Sequence, residues 1–237
     1  MGIVCRRKNG RIRRDIGRLS LLSRIYCKER GDGMKLSELF YETLHADYVH
    51  LDSGADYAIS CEGDTLYIYF EASDGATDWK NNLDFPAVRK GGSLLLLHRG
   101  FLRVFESIRS AVFDAASKKD VHSIVISGYS HGGALAVLCY DEVLRLRPDL
   151  QGNIVGYGFG APRVFFGVKT RRLMRRFSDF TVIRNTDDLV THLPPRALGY
   201  FHVGKLLTVG ERGKYSRIDA HRPEHIMREL LAYEKKK

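Results

Sequence analysis

Val121-His-Ser-Ile-Val-Ile-Ser-Gly-Tyr-Ser-His-Gly-Gly-Ala-Leu-Ala-Val-Leu-Cys-Tyr140 contains a Gly-x-Ser-x-Gly pattern, Gly128 to Gly132, set between two runs of different habit. The pattern alone is weak, because at average glycine and serine usage a chain of this length carries one by chance about one time in ten. Its setting is specific. Val121 to Ser127 is apolar and β-branched, as a buried strand is, and Ala134 to Tyr140 is a run of helix formers. A serine between them would sit on a tight strand-to-helix turn, the arrangement of a nucleophile elbow. Such a turn needs small neighbours, which Gly128, Gly132, Gly133 and Ala134 supply. A serine at a helix N-terminus also has free backbone N–H groups beside it for a developing oxyanion, and the amide of His131 is one candidate donor.

Upstream of this stretch, Ser37 is a candidate N-cap for a helix to about Ala46. Tyr57 to Ser60 and Thr65 to Phe70 read as a hairpin around Glu62-Gly63-Asp64, the second run as a buried strand. Leu94 to Leu97 is a further buried-strand candidate, and Phe101 to Ser117 is helical. Downstream, a helix is expected from Gly132 to about Arg147, before Pro148. Strands follow near Ile154 to Phe159 and Phe180 to Arg184, and a terminal helix lies beyond His221. Alternating strands and helices imply an α/β fold, a mostly parallel sheet with helices on both faces.

A serine hydroxyl is a poor nucleophile until a histidine accepts its proton, and an acid must orient that histidine. Both residue types follow Ser130. Asp188 lies in Arg184-Asn-Thr-Asp-Asp-Leu-Val-Thr-His-Leu-Pro-Pro195, just past a predicted strand. His221 lies beyond a β-rich stretch, just before the last helix. Asp187 competes for the acid role, and His225, inside the predicted last helix, for the histidine role.

Several segments together resemble the class 3 lipases, the fungal triacylglycerol lipase-like branch of the α/β-hydrolases. Ile126 to Ala136 resembles the family's elbow, Gly158-Phe-Gly-Ala-Pro-Arg163 the strand and turn after it, and Asp188 to Pro195 its acid segment. His98-Arg-Gly-Phe101 resembles the strand-to-helix junction ahead of the elbow, and Asp219-Ala-His-Arg-Pro-Glu224 the histidine segment. The resemblance implies an α/β-hydrolase fold with Ser130 as nucleophile, Asp188 as orienting acid and His221 as general base and acid. It implies a serine hydrolase that cleaves carboxylic esters of lipids, a lipase, esterase or phospholipase working through an acyl-enzyme, with no metal or organic cofactor. Where the family usually reads Phe-Arg-Gly-Thr or Ser, this chain reads Phe70-Glu-Ala-Ser73, so Ser73 takes the place of the oxyanion donor and works with the amide of His131. Asp78-Trp-Lys-Asn-Asn-Leu-Asp-Phe85 resembles the lid, with Trp79 facing substrate or anchoring a surface helix. Its polarity favours soluble esters or phospholipids over fat droplets. His192, Arg196 and His202 are given no catalytic role, His192 being read as a packing or hydrogen-bonding residue.

The 237 residues suffice for one large core, and no apolar run approaches the roughly 20 residues of a membrane-spanning helix. The net charge of +10 is uneven: residues 1–33 hold ten Lys/Arg against three Asp/Glu, leaving 28 against 25 for the remainder. We therefore divide the chain into a basic extension, 1–33, with a first helix from Ile12, and a hydrolase domain, 34–237. The extension fits either a solubilising tail or a peripheral contact to an anionic membrane, and nucleic acid is the less expected partner. Cys5, Cys27, Cys61 and Cys139 show neither a Cys-x-x-Cys pair nor ligand-spaced histidines, so no metal site is expected. With no secretory signal pattern, a cytoplasmic protein is expected, and peripheral membrane association is one of the two readings of its basic end. The rival functional reading is a catalytically silent hydrolase-fold module that binds lipid or nucleic acid through its basic end.

Overall fold

The computed structural model describes residues 34–71, 86–90 and 96–236. The basic extension, and with it the division at residue 33, lies outside the described residues, as do Ser73 and Trp79. In chain order the elements are α1 (Leu36–His45), β1 (Val49–His50), β2 (Asp56–Glu62), β3 (Thr65–Phe70), β4 (Ala87–Arg89), β5 (Leu96–His98) and α2 (Arg99–Ala116). They continue as β6 (Ser123–Tyr129), α3 (His131–Leu146), β7 (Ile154–Phe159), β8 (Phe165–Phe166), α4 (Arg171–Arg176) and β9 (Phe180–Asn185). The last are β10 (Tyr200–Phe201), β11 (Lys205–Val209) and α5 (Pro223–Lys235).

Seven strands form the main sheet in the order β1-β2-β3-β6-β7-β9-β11. β3, β6, β7, β9 and β11 run parallel, while β1 and β2 add an antiparallel edge. The expected α/β-hydrolase architecture is the one observed. β6 is the central strand, and its alternating side chains are covered on both sides. Ile124 and Ile126 join the core with α2 and α3, whereas Val125 and Tyr129 join the core with α1 and α5. Ser127 of this strand is fully buried and donates to Thr43 Oγ1 of α1 at 2.6 Å, because the Thr43 hydroxyl proton is already given to the Leu39 carbonyl. The helix α3 is buried all round from His131 to Val143, as befits a helix pressed between the sheet and α2.

Two expectations shift. Ser37 is not the cap of α1: the cap is Lys35, two residues earlier, with Glu38 reaching back to the Lys35 amide, and Ser37 is used for tertiary contact. Its amide and hydroxyl both bond Glu234 of α5, at 2.9 and 2.6 Å. The strand expected at Leu94 to Leu97 is Leu96–His98, and it lies in a separate four-stranded antiparallel sheet, β10-β8-β5-β4. Among the described residues no helix is long and apolar enough to cross a membrane.

Candidate active site

Ser130 links β6 to α3 with φ 54° and ψ −119°, and it is the one non-glycine residue at positive φ among the described residues. Such a conformation persists only where its surroundings enforce it. Here the Ser130 N–H donates to the Phe159 carbonyl of β7 at 2.8 Å, and its own carbonyl accepts from Gly133 at 3.0 Å. The flanking glycines are required by contact rather than flexibility. A Cβ on Gly128 would lie 2.1 Å from the Gly132 carbonyl oxygen, and one on Gly132 would lie 2.2 Å from the Phe70 carbonyl oxygen and 2.6 Å from that of Glu71. The second contact brings the end of β3, where the Phe70-Glu-Ala-Ser73 segment begins, against the first turn of α3. His131 opens that helix, and its ring is buried edge-on against Phe101 at a centroid distance of 5.3 Å. Its backbone is in the first turn, where N–H groups have no carbonyl partner within the helix.

His221 stands on a single 3-10 turn ahead of α5, with Nε2 2.8 Å from Ser130 Oγ and Nδ1 2.9 Å from Asp188 Oδ2. A carboxylate oxygen only accepts, so Nδ1 carries the proton and Nε2 is left to accept from the serine hydroxyl. Asp188 is fully buried, and its second oxygen accepts from the Val190 amide at 2.9 Å. The loop it stands on is bound from several sides. Thr191 Oγ1 and His192 Nδ1 both donate to the Asp188 carbonyl, at 2.9 and 2.8 Å. Arg163, on the loop leaving β7, bonds the carbonyls of His192, Leu193 and Pro194. His202 donates from Nε2 to the Thr191 carbonyl at 2.8 Å, and burial pushes its pKa down to about 4, so this imidazole is neutral at pH 7.

The two rivals point elsewhere. Asp187 accepts from the Gly213 amide in the loop after β11, and His225 donates to the Asp219 carbonyl at 2.7 Å while stacking on Tyr215. The structure therefore brings Ser130, Asp188 and His221 together and leaves Asp187 and His225 out.

Three residues that the sequence did not single out hold His221 in place. The Tyr129 hydroxyl donates to the His221 carbonyl at 2.6 Å and its ring stacks on the imidazole at 5.3 Å. Asn185 donates to the adjoining Ala220 carbonyl at 3.1 Å. Gly160, at φ 59°, passes so close beneath the pair that a Cβ there would lie 2.8 Å from His221 Cε1 and 3.3 Å from Asp188 Oδ2. The one sequence signal for it was its place inside the Gly158 to Arg163 segment.

A family model described as Lipase (class 3) matches residues 67–198. Among curated relatives, a lipase of Rhizomucor miehei is 29% identical over 147 residues, which is 60% of this chain and 40% of that protein. A secreted mono- and diacylglycerol lipase of Malassezia globosa is 27% identical over 195 residues, covering 77% of this chain and 63% of its own length. The matches thus span less than two thirds of either relative. Among solved structures, a fungal lipase–inhibitor complex superposes with a TM-score of 0.59 at 21% identity, over 73% of this chain and 78% of that one. A triacylglycerol lipase whose catalytic centre is described as a serine protease triad gives 0.55 at 26% identity, over 68% and 64%.

Proposed function

This chain belongs to the class 3 lipase family, and we propose that it is a serine hydrolase that cleaves carboxylic esters of lipids, with Ser130 as nucleophile, His221 as general base and acid, and Asp188 as the orienting carboxylate. The observation that carries the reading is the unbroken chain of bonds from Ser130 Oγ to His221 Nε2 and from His221 Nδ1 to a fully buried Asp188. The printed names of the relatives, lipase and mono- and diacylglycerol lipase, support a lipid ester as substrate.

In this reading Ser130 Oγ attacks the ester carbonyl carbon as its proton passes to His221 Nε2, and Asp188 stabilises the imidazolium so formed. The negative oxygen of the tetrahedral intermediate is held by the His131 amide, at the N-terminus of α3, and by Ser73, which the family resemblance assigns to the same task. Its collapse expels the alcohol, which takes the proton from His221, and leaves an acyl group on Ser130. Water, deprotonated by the same imidazole, then releases the acid and restores the serine. No cofactor enters any step. The polar Asp78 to Phe85 segment favours small or soluble esters and phospholipids over bulk fat.

The test is labelling by a fluorophosphonate probe together with hydrolysis of p-nitrophenyl esters from acetate to palmitate, with phospholipid vesicles assayed in parallel. Wild type should label and turn over, and Ser130→Ala should lose both, by about a million-fold in turnover. Folded wild type that neither labels nor hydrolyses any ester would overturn the proposal in favour of a silent binding module.

A further inference from the structure

Beyond the residues that touch Asp188 and His221, the loops leaving β7 and entering β10 build an exposed surface that is cationic and carries two apolar tips. Between Gly160 and Ser178, and again between Leu189 and Gly210, the chain contains no aspartate or glutamate, although the chain as a whole carries 28 of them. The two segments are held side by side. The Gly167 N–H donates to the Gly199 carbonyl at 3.1 Å, which brings Val168, 82% exposed, beside the turn that carries Leu198, 52% exposed. Lone exposed apolar side chains are ordinary, but these two project from adjoining turns on short antiparallel strands.

Around them Lys169, Arg171, Arg172, Arg175 and Arg196 are all exposed, and among the described residues none has an ion-pair partner. The helix α4 explains the outward aim. Leu173 is buried, and Arg176 is turned inward to Asp141, its Nε 2.5 Å from Oδ1, so helical periodicity turns Arg171, Arg172 and Arg175 to solvent. Thr170 caps the helix by accepting from the Leu173 amide at 3.1 Å, which fixes the turn behind Val168. The other turn is fixed through Arg163, which clamps the carbonyls that precede Arg196.

We propose that this face, Val168 and Leu198 ringed by Lys169, Arg171, Arg172, Arg175 and Arg196, docks the protein on an anionic lipid surface. The cations complement the headgroup phosphates, and the two apolar tips enter the boundary between headgroups and acyl chains. A nucleic acid would complement the charge equally but would gain nothing from the apolar tips. The proposal does not depend on what Ser130 hydrolyses, because its readout is binding.

The test is co-sedimentation of the full chain with vesicles of phosphatidylcholine, and of phosphatidylcholine containing phosphatidylserine, at low and high salt. Wild type should partition onto the anionic vesicles, release in high salt and bind the neutral ones weakly. Each basic residue near an anionic surface is worth about five-fold in partitioning, so Lys169→Gln/Arg171→Gln/Arg172→Gln should weaken binding about a hundred-fold. Val168→Ser/Leu198→Ser should weaken it about ten-fold with the charge intact. All these side chains are exposed, so the melting temperature and the hydrolysis of p-nitrophenyl acetate should stay at wild-type values in both variants. Failure of wild type to bind anionic vesicles, or binding that the charge variant retains, would overturn the proposal. So would loss of binding in the charge variant alone, accompanied by equally tight wild-type binding to a double-stranded oligonucleotide, an outcome that would assign the face to nucleic acid.

Discussion

Replacing Gly160 by alanine should damage turnover far more than it damages the fold. The added Cβ would lie 2.8 Å from His221 Cε1 and 3.0 Å from Nδ1, against an ordinary contact distance of 3.4 Å or more, so the imidazole must retreat by about 0.6 Å. His221 cannot retreat freely, because Tyr129 and Asn185 hold the backbone on either side of it. A displacement of about 1 Å in a reacting group costs on the order of a hundred-fold in rate, so we expect kcat on p-nitrophenyl butyrate to fall about ten- to a hundred-fold. The left-handed backbone adds a separate cost, roughly 1–2 kcal/mol for a residue with a Cβ, which corresponds to a few degrees in Tm. Gly63 isolates that second cost: its φ is 62°, close to the 59° of Gly160, and a Cβ there meets nothing within 4 Å. Gly63→Ala should therefore lower Tm about as much as Gly160→Ala and leave kcat within about two-fold of wild type. Both variants are compared by thermal melts and by initial rates at 25 °C. If Gly160→Ala is folded and turns over like Gly63→Ala, the idea that this contact sets the position of His221 is wrong.

Three further outcomes are expected. Asp188→Asn should reduce kcat by about 10⁴-fold through loss of the oriented tautomer, whereas Asp187→Asn, whose partner is the Gly213 amide, should stay within a few-fold; the reverse order in initial rates would transfer the acid role. Tyr129→Phe keeps the ring stack but removes the bond to the His221 carbonyl, so unfolding in urea should show a loss of about 1 kcal/mol and kcat should fall several-fold; unchanged values would mean the hydroxyl does not hold the histidine. The pKa of His202, lowered by burial from 6.5 to about 4, makes the native state resist protonation that the unfolded chain accepts. Stability is then complete above the unfolded pKa, is lost as pH falls through the interval from about 6.5 to about 4, and is reduced by about 3 kcal/mol below it. Denaturant melts of wild type and His202→Gln across that interval check it, since the substitution should remove this part of the acid sensitivity.

The elbow was readable because every level of description agreed there. The run Ile124 to Ser127 is too β-branched and too apolar for anything but a central strand, and Ala134 to Tyr140 too uniformly buried in character for anything but an inner helix. Strands of two or three residues, such as β4, β8 and β10, carry no period to detect, so the sequence pointed to one sheet only and gave no sign that the strand expected at Leu94 to Leu97 belongs to a second. The same division runs through the site. Ser130, Asp188 and His221 were legible because their chemistry restricts the residue types that can serve. The groups that aim them were not, because their roles depend on contacts between distant parts of the chain and on one backbone angle. Tyr129 shows the difference most clearly. In Gly-x-Ser-x-Gly it occupies an unspecified position, and strand periodicity assigns it only to the face opposite Gly128. That face is the one covered by α1 and α5, and the chain reaches α5 through His221. Alternation along β6 thus puts the glycine where helix α3 must approach and the tyrosine where the histidine must be held, so the strand that delivers the serine also stacks against its base.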